Sequence, residues 1–139
     1  MRVGPVPRLL AAVVLVVVGA ACTDEGDKDA FCERLAAIPA LGEVLGELDS
    51  SDPAGTEARL TDALADFRSL EADAPGAIRD DVARVRQGVE LVLDAVQENP
   101  DDLSAAREAI ASETDELSGL AQAAEDLVSY ARTECDLTL

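Results

Sequence analysis

The chain has 139 residues, a length that suits a single domain. Its 29 acidic against 11 basic residues give a net charge of −18, which repels nucleic-acid phosphates and anionic headgroups and argues against nucleic acid as a partner. Apolar residues make up 48% of the chain and recur periodically, so the acidity belongs to a folded surface rather than to a disordered tail.

The first element is a leader. Arg2 and Arg8 precede an unbroken apolar run over residues 9–18, followed by the small residues Gly19, Ala20 and Ala21 and then Cys22. Charged, then apolar, then small is the order of a secretory signal peptide. The run is too short for a permanent span, which needs about 20 apolar residues. Residues 1–21 are expected to leave, and the mature part then carries a formal charge of about −20. The alternative is a short uncleaved anchor.

Gly19-Ala20-Ala21-Cys22 resembles the lipobox of bacterial lipoproteins. That family usually has Leu, Val or Ile where this chain has Gly19. The resemblance implies that Cys22 becomes the mature N-terminus and carries acyl chains, palmitate among them. The protein would then be lipid-anchored on the outer face of the cell membrane. The alternative is ordinary cleavage near Ala21 and release as a secreted soluble protein. The cysteine count favours the lipid. Of Cys22, Cys32 and Cys135, lipidation of the first leaves an even pair in an oxidising compartment. Two acyl chains also suffice for stable anchoring, where one does not.

Residues 22–29 are polar and read as a tether, and residues 30–139 as the folded domain. The acids Asp24, Glu25, Asp27 and Asp29 lack the spacing of a calcium loop and fit a solvated spacer. About seven residues at up to about 3.5 Å each would lift the domain roughly 25 Å.

Helical periods follow. Phe31, Leu35, Ile38, Leu41, Leu45 and Leu48 step by three or four, with Pro39 expected to kink or split this arm. Asp52-Pro53 reads as an N-cap and a first-turn proline. A second helix carries Leu60, Leu64, Phe67 and Leu70 and stops before Pro75. A third carries Ile78, Val82, Val85, Val89, Val92 and Val96 and ends at Asn99-Pro100. The last arm has a short stripe, Leu103, Ala106 and Ile110, and a longer one, Leu117, Leu120, Ala124, Leu127 and Ala131. A break is expected near 112–114, where Ser112 and Thr114 offer new caps. No segment alternates with period two, so no strand is predicted.

The predicted fold is therefore all-α: an up-down four-helix bundle with its last arm open to a break, preceded by a signal-peptide helix and a short tether. In that topology the first arm starts where the fourth ends. Cys32 and Cys135 then fall at one end and suit a structural disulfide, with Phe31 and Tyr130 packed nearby. A redox-active pair is the other possibility, but the spacing is not Cys-x-x-Cys.

A Phe-Cys start (Phe31-Cys32) and a Tyr…Cys end (Tyr130 to Cys135) around an Ala- and Leu-rich bundle also resemble small helical lipoproteins of actinobacteria. The likeness implies a fold and a location and no activity.

The chemistry available is narrow. Without any His, the chain has no Ser-His-Asp or Cys-His site, no His-ligated zinc and no di-iron bundle site. Lys28 is the only Lys, and no Gly-rich phosphate loop appears. With no Trp, one Tyr and two Phe, no platform for stacking on sugars or bases is visible. Asp80-Asp81 and Asp101-Asp102 fall at predicted helix starts, where negative charge favours the dipole, so a hydrolytic pair is the lesser reading. The expectation is an envelope lipoprotein that is not an enzyme, has no catalytic residue, cofactor or metal, and works through contact with an unknown envelope protein. The alternative is a small-ligand or divalent-cation binding protein, with the acidic turn at 49–57 as the place for Ca²⁺.

Overall fold

A computed structural model describes residues 26–38 and 52–139. They form five helices: α1 (Lys28–Ala37), α2 (Pro53–Asp73), α3 (Arg79–Glu98), α4 (Leu103–Ser112) and α5 (Thr114–Glu134). No strand occurs among the described residues, so the all-helical bundle is as expected. Cys22, the expected leader over residues 1–21 and the part of the expected first arm beyond Ile38, with Pro39, Leu41, Leu45 and Leu48, lie outside them.

The helix ends follow from capping chemistry. Asp52 Oδ1 accepts from the Gly55 backbone N–H at 3.0 Å, and Pro53 occupies the first turn, where its missing N–H costs nothing. Asp102 Oδ1 accepts from the N–H groups of both Ser104 and Ala105 at 3.0 Å and starts α4. At the far end of α3, Asn99 Nδ2 donates to the Ala95 carbonyl at 2.9 Å. Asp80 and Asp81 lie in the first turn of α3, on the favourable side of its dipole.

Two expectations change. First, α1 starts at Lys28, because Asp27 caps it by accepting from Asp29 and Ala30 N–H groups at 3.1 Å. The last residues of the expected tether are thus part of the fold. Gly26 lies so close to the Asp73 and Ala74 carbonyls that any Cβ there would collide with backbone. Second, the break falls between Ser112 and Thr114, but neither side chain caps α5. Ser112 Oγ instead donates back to the Ala109 carbonyl at 2.6 Å, and Glu113 sits at the cap without a side-chain bond.

The central helix is α3. It packs on α2, α4 and α5, while α1 packs on α2. Its stripe of valines is buried, and Leu93 and Ala95 join them, which widens the buried face beyond one sequence stripe. Each valine costs at most about 0.7 kcal/mol of helix propensity, against about 1.5–3 kcal/mol from burying the side chain. Burial therefore decides for helix.

Leu60, Leu64, Phe67 and Leu70 complete the α2 side of the core. On α5 the buried residues are Ala123, Leu127 and Ala131, whereas Leu117, Leu120 and Ala124 are only half-buried.

Charged side chains tie the α2–α3 seam. Arg86 Nε donates to Glu71 at 2.6 Å and its Nη1 to Glu90 at 2.9 Å, and Arg68 adds a 3.2 Å contact to Glu90. The Glu71 hydrogen bond, aided by the negative charges of Glu71 and Glu90, holds Arg86 more firmly protonated than usual although partial burial opposes it. Arg34 pairs with Asp73 at 2.7 Å and fastens α1 to α2.

Candidate functional site

Of the residues expected to carry function, Cys22 lies outside the described residues. Cys32 and Cys135 are bonded to each other as a disulfide, with Cα atoms 5.4 Å apart across 103 residues of sequence. Cys32 sits in the first turns of α1 and Cys135 caps α5, so the bond joins the two ends of the domain.

Two further contacts cross the same seam. Phe31, fully buried, meets Tyr130 edge-on, with ring centroids 5.7 Å apart and planes at 87°. Lys28 Nζ donates to Glu134 Oε2 at 2.7 Å. That hydrogen bond raises the Lys28 pKa above the ordinary value, against a smaller opposing effect of desolvation. Covalent, aromatic and ionic links thus follow one another along a single α1–α5 seam.

Beyond the disulfide the chain reverses. Asp136 adopts the left-handed region at φ 55°, and Leu137 N–H donates back to the Ala131 carbonyl at 3.0 Å. Leu137 is half-buried against the core. The end of the bundle held by this seam, the clamp end, gathers the starts of α1 and α3 with the ends of α2 and α5, because Gly26 abuts Ala74 and Cys135 reaches Cys32.

A second feature lies further along the bundle. An open-sided trough of about 370 Å³ runs between α3 and α5, next to the break that starts α5. Leu91, Leu117 and Leu120 give it an apolar floor, Asp115 and Glu116 stand on its α5 wall, and the Arg84 side chain reaches across from α3 to lie over Gly119. Leu120 lies directly over Gly88, where a Cβ would come within 2.5 Å of its Cδ2 atom. The missing side chain is what lets α5 approach. This trough was not legible in sequence, since Leu117 and Leu120 read as ordinary core positions of an amphipathic helix.

The acidic turn at 49–57 is described only from Asp52 onward. Asp52 is committed to its cap, and Glu57 accepts a hydrogen bond from Gln97 at 3.0 Å. Among the described residues no three His, Cys, Asp or Glu side chains group to hold a metal ion. Among them, too, no helix is long and apolar enough to cross a membrane.

Comparison with known protein families, with curated proteins and with solved structures finds no match to this chain.

Proposed function

We propose that this protein is an exported, lipid-anchored envelope protein whose helical domain acts by contact with another protein rather than by catalysis. The observation that carries the proposal is the Cys32–Cys135 disulfide. Such bonds form and persist in oxidising compartments outside the cytosol. The leader supplies a route there, and pairing of these two leaves Cys22 for the acyl chains.

The fold gives the anchor a geometric meaning. Cys22 lies four residues before Gly26, which abuts the end of α2. Four residues span at most about 14 Å. An acylated Cys22 would hold the clamp end within that distance of the bilayer. The 20 residues of α3 then carry the other end about 30 Å further out. The tether is shorter than its composition suggests, and the domain stands close to the surface with its break-side end outward.

Metabolic labelling with a clickable fatty acid tests the anchor. Label is expected on the parent chain and lost in Cys22→Ala. Equal labelling and processing of both forms would refute lipidation. Proximity labelling from the C-terminus in the producing cell tests the contact role, which fails if no protein exceeds background.

A further inference from the structure

We propose that the trough between α3 and α5 is the contact surface itself, and that it takes a short, cationic, amphipathic segment of a partner protein. This deepens the contact role proposed above and rests on it. Aliphatic side chains of the segment lie on Leu91, Leu117 and Leu120, and its Lys or Arg residues reach Asp115 and Glu116.

Three observations select this occupant. The trough has an apolar floor but is open along one side, so it suits side chains presented by a second chain better than a small molecule, which needs most of its surface enclosed. Its α5 wall carries two adjacent carboxylates, exposed and standing in the first turn after the break, against the one guanidinium of Arg84, so the charge of the lining is net negative. The protein as a whole carries −18, so an approaching anionic or neutral segment gains no steering and a cationic one does. The same charge disfavours a second copy of this chain, whose trough would bring the same two acids. Gly88 and Gly119 line the floor. A Cβ at Gly119 would come 3.4 Å from Arg84 Nη1 and 3.5 Å from its Cδ, so the Arg84 side chain lies over this stretch of α5 and an incoming side chain packs beside it.

The trough also stands clear of the anchored end. Gly88 to Leu91 lie roughly 14–18 Å along α3 from its start. A partner can therefore reach it without displacing the lipid.

The test uses the exported protein in neutral phosphatidylcholine discs, with empty discs as the baseline, at about 0.15 M salt. The probe is a fluorescein-labelled Lys/Leu peptide of about 14 residues, four helical turns. A Glu/Leu peptide and a Lys/Ser peptide of the same length are the comparisons. Saturable one-to-one binding of the Lys/Leu peptide is expected, weaker by about tenfold or more for the other two. Asp115→Lys with Glu116→Lys should weaken binding by about tenfold, and Gly119→Met, which fills the trough while favouring helix, by a similar factor. Glu125→Lys with Asp126→Lys makes the same charge change on α5 outside the trough and should weaken it less than about threefold. Circular dichroism checks that each variant stays helical.

If the Glu125/Asp126 variant loses as much as the Asp115/Glu116 variant, binding is diffuse electrostatics and the trough is not the site. If Gly119→Met binds like the parent, the floor is not occupied. If sedimentation shows dimers that Gly119→Met abolishes, the occupant is a second copy and the cationic segment is wrong. Loss of the lipid reading would show in fatty-acid labelling alone, and loss of the trough in peptide binding alone.

Discussion

Phe31 and Tyr130, 99 positions apart in the chain, meet edge to face at the point where α1 and α5 are also joined by a disulfide. Phe31 is wholly buried, so its loss removes a large apolar side chain and leaves a cavity. Phe31→Ala is expected to cost about 3–5 kcal/mol. The ring-on-ring part is separable: a double-mutant cycle with Phe31→Leu and Tyr130→Leu should return a coupling of about 0.5–1.5 kcal/mol. Denaturant melts measure it, and additive single-mutant effects would show that the rings merely lie near each other.

Removing the Cys32–Cys135 bond should act chiefly on the unfolded chain. The loop it closes spans 103 residues. Chain entropy values such a crosslink at about 4–5 kcal/mol. Cys32→Ala with Cys135→Ala should therefore lower the urea midpoint sharply while the folded protein keeps its helical spectrum. Free thiols at both positions in protein isolated from the producing cell would contradict the seam described above.

Alkaline pH should weaken the same seam in a defined window. Lys28 donates to Glu134, and this hydrogen bond raises its folded-state pKa above the unfolded value. A proton held more tightly by the folded state stabilises it fully below the unfolded lysine pKa of about 10.4. The contribution is lost as pH rises through the raised folded value. The stability difference between the parent and Lys28→Gln should thus be constant at neutral pH and shrink above about pH 10.5. The effect is small, because the pair is about half exposed. A difference that grows with pH would reverse the sign and rule out the pairing.

Thr56 offers a gain in stability. Its side chain is fully buried on α2, and its hydroxyl has no hydrogen-bond partner among the described residues. Its neighbours around a small void of about 20 Å³ are mainly apolar: Val96, Leu103, Ala106 and Ile110. A buried unsatisfied hydroxyl costs about 1–3 kcal/mol. Thr56→Val keeps the shape and the β-branching, so it should stabilise by about 1–2 kcal/mol in thermal or denaturant unfolding. Thr56→Ala leaves a larger void and should not show the same gain. A destabilised Thr56→Val would mean that the hydroxyl does have a partner.

Much of the helical layout was legible beforehand because helix hydrogen bonds and caps are local. Asp52-Pro53, Asn99-Pro100 and the break after Ser112 lie where chain-neighbour chemistry puts them. The valine stripe of α3 likewise buries the residues its period marks. The end-to-end disulfide was legible too, since an up-down order of arms returns the last to the first. The local reading failed where a side chain had a nearer partner than the one expected. Ser112 bonds back to Ala109, and Asp27 caps α1 so that Lys28 and Asp29, read as spacer, belong to the helix.

What the sequence determined by itself was the helical class and the placing of Cys32 and Cys135 at one end of the fold, where they pair. What only the tertiary structure decided was relational: that α3 is central, that Gly26 is pressed against the end of α2, and that Leu117 and Leu120 floor an open trough. The physical reason is that periodicity marks which face of a helix is apolar, whereas burial of that face depends on how closely its neighbour approaches. At Gly88 that approach is set by an absent side chain on one helix and a leucine on another, a relation that no local window of sequence contains.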